Sequence, residues 1–177
     1  MVSCLGIDPD SEYVAMALGC KGSITDVYSF KVKSERGDLA PMLRALSIHI
    51  PKFINDKDME PIWPLRIVIE GQKIYPGGKA RPNDILLLGQ IAGMAAGVCA
   101  SNWPDKNIII PTPSEWKGSV PKRVHQARVY DSLGWGYKQK TGYSVPRNPD
   151  VGKHLKSGEW KHVGDAVGLC LWGAKDL

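Results

Sequence analysis

The polar and apolar positions divide the chain into short β-type runs with helical periodicities between and after them. Ser3 to Asp10 is an apolar run that ends on Asp8 and is stopped by Pro9, the pattern of a central strand with a carboxylate at its tip. Tyr13 to Leu18 predicts a second strand, Gly19 to Gly22 a tight turn, and Thr25 to Lys33 a third strand carried by Val27, Tyr28, Phe30 and Val32. Short links make these three an antiparallel meander. Leu39, Met42, Leu43, Leu46, Ile50, Phe53 and Ile54 then recur at helical spacing, which predicts an amphipathic helix that Pro51 kinks or ends early. Leu65 to Gly71 repeats the opening arrangement, a β-branched run closed by Glu70 and a breaker. A long helical connection favours parallel, adjacent strands, so Asp8 and Glu70 are expected side by side at one edge of the sheet.

The loop from Gln72 to Pro82 holds Lys73, Tyr75, Lys79 and Arg81 among glycines and prolines. An aromatic between cations suits contact with a base and its phosphates, although such a loop serves equally well as a connector. Asn83 is placed to cap a helix running to about Ala100, along which Gly89, Gly93 and Gly97 recur every fourth residue. That stripe predicts close packing, on the sheet or across a dimer; the segment is read as too short, with Asp84 and Gln90 inside it, for a membrane helix. Asn107 to Ile110 reads as a buried strand stopped by Pro111, Pro113 to Lys117 as a turn, and the stretch from Pro121 to about Leu133 as a helix. Gly134 to Glu159 shows no periodicity and is expected to be a long, mobile basic loop. Trp160 to Ala174 closes the chain as a helix.

Composition narrows the class. At 177 residues with 43% apolar and 23% charged, the chain is expected to be one globular domain without internal repeats. The sequence shows neither a membrane-length apolar window nor a basic-then-apolar N-terminus, so a soluble cytoplasmic protein is expected, in the host cytoplasm if the chain is viral. Cys4, Cys20, Cys99 and Cys170 sit in apolar settings without paired spacing and read as buried free thiols. The net charge is +5, yet Lys117 to Lys161 carries ten Lys or Arg against Asp131, Asp150 and Glu159, leaving the rest slightly acidic. Positive charge gathered near a carboxylate cluster suggests a polyanionic substrate, nucleic acid first; a solvated basic loop explains the charge alone equally well.

The candidate chemistry lies in that cluster. His162 and Asp165 are three apart on the last helix and project from one face, so they converge with Asp8 and Glu70 from two strand tips. Clustered carboxylates need cations, and oxygen ligands suit Mg²⁺ or Mn²⁺. Two such ions about 3.5–4 Å apart support phosphodiester hydrolysis. A calcium loop at Asp8 to Gly19 is rejected because Tyr13 and Gly19 stand where that motif needs Gly and Glu, and Gly77-Gly78-Lys79 lacks the spacing of a phosphate-binding loop.

Five motifs in order, Gly6-Ile7-Asp8-Pro9, Ile69-Glu70-Gly71-Gln72, Leu88 to Gly93, Pro113 to Lys117 with Lys122, and His162 to Ala166, resemble the RuvC-type Holliday junction resolvases of the ribonuclease H-like superfamily. The resemblance covers nearly the whole chain. It implies a five-stranded mixed sheet, three antiparallel strands and two parallel, flanked by helices. It implies a homodimeric endonuclease of DNA recombination and repair that binds four-way DNA junctions and nicks two strands with Mg²⁺ or Mn²⁺, two ions per site. Asp8, Glu70, His162 and Asp165 fall on the metal-binding positions, and Lys117 and Lys122 fall near the lysines that face the scissile phosphate. Lys73, Tyr75, Lys79, Arg81, Arg123, Arg128, Lys138 and Lys140 are the expected DNA contacts. The chain departs from the pattern in a short Lys117–Lys122 spacer, in Lys73 where an aromatic is usual, and in the basic insertion from Lys138 to Lys161. With its compact size, the insertion looks more like the bacteriophage or viral branch, whose members cut several branched forms. The rival readings are a ribonuclease H-type nuclease acting on RNA–DNA hybrid and a non-catalytic junction-binding protein.

Overall fold

The computed structural model describes residues 3–20, 22–32, 38–55, 65–72 and 81–175. Strands β1 (Ser3–Pro9), β2 (Tyr13–Cys20) and β3 (Ser23–Lys31) form the expected antiparallel meander, and helix α1 (Ala40–Asn55) leads towards β4 (Leu65–Ile69). β4 lies parallel beside β1, with Ile7 level with Ile69, and β5 (Asn107–Ile109) continues the parallel side. The sheet order β3-β2-β1-β4-β5 is the mixed five-stranded arrangement expected.

Two cores flank the sheet. Leu5, Ile7, Met16 and Ile67 point to the side covered by α1 and α2 (Pro82–Asn102), where Leu46, Ile50, Ile91 and Ala95 meet them. Cys4, Ala15, Ala17 and Val68 point to the other side, onto α5 (Trp160–Gly173) and its neighbours α3 (Pro113–Trp116) and α4 (Lys122–Ser132). Strand alternation assigns Asp8 to this second side. Gly6 lets α5 sit directly on β1, because a Cβ there would lie 2.6 Å from the Cys170 backbone nitrogen and closer still to the Ala166 carbonyl oxygen.

Several elements differ from expectation. α1 runs through Pro51: only one further turn follows, Ile50 and Phe53 are buried, and the exposed Ser47 carbonyl that loses its donor can turn to water. Pro82, not Asn83, opens α2, since a proline in the first turn gives up only an N–H that has no helical partner. At 21 residues, with a window of mean hydropathy 1.5, α2 is by length and composition long enough to cross a membrane, contrary to the sequence reading. Its Ile91, Ala92, Ala95, Val98 and Cys99 pack on the sheet, and 28% of that window is buried. Gly89, Gly93 and Gly97 do not pack on the sheet; they are exposed, with nothing within 4 Å of an added Cβ. β5 is half-buried rather than buried, being the edge strand, and Ile110 beyond it is 47% exposed. Cys4, Cys99 and Cys170 are buried free thiols, while Cys20 is half-buried.

The largest correction concerns residues 134–159. The segment is folded: β6 (Tyr137–Gln139) and β7 (Ser144–Pro146) pair as a hairpin, and Trp135 is buried with its indole N–H donating to Asp150 at 3.0 Å. Trp135, Tyr130 and Trp160 pack ring against ring at 6.0–6.2 Å, anchoring the insertion to α4 and α5. Aromatic anchors at irregular intervals do the work that periodicity does elsewhere, which is why the pattern reads as loop.

Candidate metal centre and nucleic-acid interface

β1 and β4 end together, and the Glu70 N–H donates to the Ile7 carbonyl at 2.9 Å, so the side chains of Asp8 and Glu70 emerge from neighbouring strand tips. α5, seated on Gly6, brings Asp165 over them. Asp8, Glu70 and Asp165 each offer a carboxylate oxygen within 4.8 Å of the others, and all three are buried, at 5%, 6% and 2% exposed. Glu70 and Asp165 are also held by partners. Glu70 Oε1 accepts from Trp116 Nε1 (3.2 Å) and Lys117 Nζ (3.1 Å). Asp165 Oδ1 accepts from Gln126 Nε2 at 3.0 Å, and its Oδ2 lies 2.6 Å from Lys122 Nζ and 3.6 Å from Lys117 Nζ. Glu115 closes the first turn of α3 by accepting from Thr112 N–H and Oγ1 at 2.6 and 2.7 Å, which places Trp116 and Lys117 at the site.

The electrostatics show a site short of positive charge. Burial, then the charge of Glu70, holds the Asp8 carboxyl well above the usual carboxylate range; Asp165 adds to this and Lys122 opposes it. Burial alone would pull Lys122 down, but Asp165, Asp8 and Glu70 together hold it above its ordinary value, so it stays charged. His162 is lowered by burial and by Lys122, against the pull of Asp10, which leaves a neutral imidazole near pH 7. All-oxygen donors with excess negative charge fit a hard divalent cation.

Of the predicted residues, Asp8, Glu70, Asp165, Lys117 and Lys122 come together. His162 stands beside them, with Nδ1 4.0 Å from Asp8 Oδ2 and 3.4 Å from Asp10 Oδ2, and its ring stacks on Tyr13 at 5.2 Å. Arg81, Arg123, Arg128, Lys138 and Lys140 are exposed, Lys138 on β6 and Lys140 just beyond its end. Lys73, Tyr75 and Lys79 lie outside the described residues. Sequence reasoning missed Trp116 and Gln126 as partners of the carboxylates, and Asp10 as a partner of His162. Trp116 and Asp10 each adjoin or lie within a recognised motif, which was a usable signal; Gln126 had none.

A mixed sheet in this strand order, with acids on two adjacent strand tips and on the helix crossing them, defines a ribonuclease H-like fold of the RuvC type. Two solved structures share it. One is Thermus thermophilus RuvC in complex with a Holliday junction substrate, at 12% identity and a TM-score of 0.58, covering 97% of this chain and 92% of that one. The other is a further structure of T. thermophilus RuvC, at 14% identity and a TM-score of 0.55, covering 96% of this chain and 92% of that one. No family model and no curated protein matches the chain.

Proposed function

We propose that the protein is a structure-selective, divalent-metal-dependent endonuclease that nicks four-way DNA junctions and related branched DNA. The observation that carries this reading is the buried cluster of Asp8, Glu70 and Asp165 at the edge of a RuvC-type sheet. These three, with His162 at their side, would hold two Mg²⁺ or Mn²⁺ ions. Bound there, the ions supply an activated water and stabilise charge on the leaving oxygen of a phosphodiester. The remaining work falls to the chain itself. Lys117 and Lys122 neutralise the carboxylates and stand at the rim where the scissile phosphate would arrive. Arg81, Arg123, Arg128, Lys138 and Lys140, together with Lys73, Tyr75 and Lys79, would hold the backbone without reading bases, so selection is by shape. A homodimer with two such sites fits symmetric nicking of two strands. The outward Gly89, Gly93 and Gly97 stripe of α2, beside the 62%-exposed Leu86, supports that helix as the contact. The expected place of action is the cytoplasm.

The test is a cleavage assay on four-way junctions, forks, flaps and RNA–DNA hybrid at equal concentration in Mg²⁺. Nicking of the branched DNA, abolished by Asp8→Asn and Glu70→Gln with binding retained, is the expected result. Preference for the hybrid would favour a ribonuclease H activity, and binding without nicking by well-folded protein would favour a non-catalytic junction binder.

A further inference from the structure

We propose that Gln126 is a positioning residue that holds Asp165 in place for cation binding. Gln126 is fully buried at 0% exposure in the middle of α4, where a polar amide must find all its partners inside the protein. It does so with three bonds. Nε2 donates to Asp165 Oδ1 at 3.0 Å and to the Lys161 carbonyl at 3.1 Å, and Oε1 accepts from the Ser144 N–H at 2.9 Å. These partners set the amide's orientation, since the reverse would aim an oxygen at two acceptors and an NH₂ at a donor. The reach depends on Gly164: a Cβ there would lie 2.8 Å from Gln126 Nε2. The bonds to Asp165 and the Lys161 carbonyl clamp the first two turns of α5, and the bond to Ser144 joins β7 to the same amide. Ser144 Oγ, donating to the Arg123 carbonyl at 2.8 Å, is a separate tie between the hairpin and α4.

The consequence lies in what Asp165 does without the amide. Its remaining partners, Lys122 and Lys117, both meet Oδ2 and sit on flexible stems. The amide is the rigid contact that fixes the rotation of the carboxylate, in the way that outer partners orient metal ligands generally. This inference rests on the reading of the cluster as a cation site.

The experiment measures Mn²⁺ affinity calorimetrically for the full chain as wild type, Gln126→Met, Gln126→Asn and Ser144→Ala, with the affinity for a four-way junction measured in EDTA alongside. Gln126→Met keeps the side-chain length without the amide and is expected to weaken Mn²⁺ binding roughly 10–100-fold, with junction affinity unchanged and any loss of nicking appearing in kcat rather than KM. Ser144→Ala, which removes only the separate tie, is expected to bind Mn²⁺ as the wild type does. A folded Gln126→Met with wild-type Mn²⁺ affinity overturns the proposal, as does an equal loss in Ser144→Ala, which would make the effect one of general packing. Should Gln126→Met fail to fold, Gln126→Asn, whose amide is one methylene short of Asp165, carries the same test. Wild-type protein that takes up no Mn²⁺ would instead overturn the cation site itself, a result distinct from the variant outcomes.

Discussion

Replacing Gly6 by alanine tests whether the closeness of α5 to β1 builds the site. The added Cβ would lie 2.6 Å from the Cys170 nitrogen, against a limit near 3.0 Å for real contacts, so α5 must retreat by at least the difference of 0.4 Å, and by more where the Ala166 carbonyl is met. Both neighbours are backbone atoms of a regular helix, and a change of rotamer cannot relieve the overlap. Overpacking of a tight core costs about 1–3 kcal/mol, and this case belongs at the upper end, ~3 kcal/mol. For a domain of this size that lowers Tm by roughly 6–12 °C. The retreat also carries Asp165 away from Asp8, so Mn²⁺ affinity should fall on the order of tenfold. Thermal unfolding in EDTA and Mn²⁺ calorimetry read the two effects. Gly158→Ala serves as control, because a Cβ there meets nothing within 4 Å and the change should stay within about 0.5 kcal/mol. A Gly6→Ala protein with unchanged Tm and unchanged Mn²⁺ affinity would refute the reasoning.

Three further outcomes are expected. The raised Asp8 carboxyl means that the metal-free fold holds a proton the unfolded chain releases, so its stabilising share is full below the unfolded pKa and is lost as pH rises through the folded one. Asp8→Asn should remove that loss and stabilise the metal-free protein at neutral pH by ~1–2 kcal/mol in urea unfolding; lower stability would contradict the electrostatic account. Lys122→Ala takes away the ammonium 2.6 Å from Asp165, and with Lys122 28% exposed the cost should be about 1–3 kcal/mol without metal. Saturating Mn²⁺ should recover part of that loss, and a melt that Mn²⁺ leaves unmoved would oppose the charge-compensation role. The double change Lys138→Glu, Lys140→Glu should weaken junction binding and flatten its salt dependence by about two units of slope, with Mn²⁺ affinity unchanged. Unaltered binding would remove the hairpin from the interface.

The parts of this architecture legible in the sequence are those governed by local pattern. Asp8 and Glu70 stood out because each ends a β-branched run at a breaker, and Asp165 because its spacing from His162 sets both on one helical face. Burial of a face is a different matter, since it depends on which partner arrives. Gly89, Gly93 and Gly97 of α2 have the same spacing as Gly164 and Gly168 of α5, yet the first set faces outward while the second admits Gln126, Tyr130, His125 and Trp116. Gln126 was illegible for a related reason: a glutamine within a helix has no local signature, and its three partners are distant in sequence. The hairpin at Tyr137–Pro146 escaped because its strands are three residues each, too short to show an alternation, although Gly142, at φ 81°, marks its turn.

The central claim is that the three buried carboxylates hold divalent cations. Crystals grown with Mn²⁺ and measured at the manganese absorption edge test it most directly. Anomalous peaks between Asp8, Glu70 and Asp165, with Lys122 Nζ displaced from Asp165, are the predicted result; a well-ordered site with the lysines still in place and no anomalous signal at saturating Mn²⁺ would contradict it.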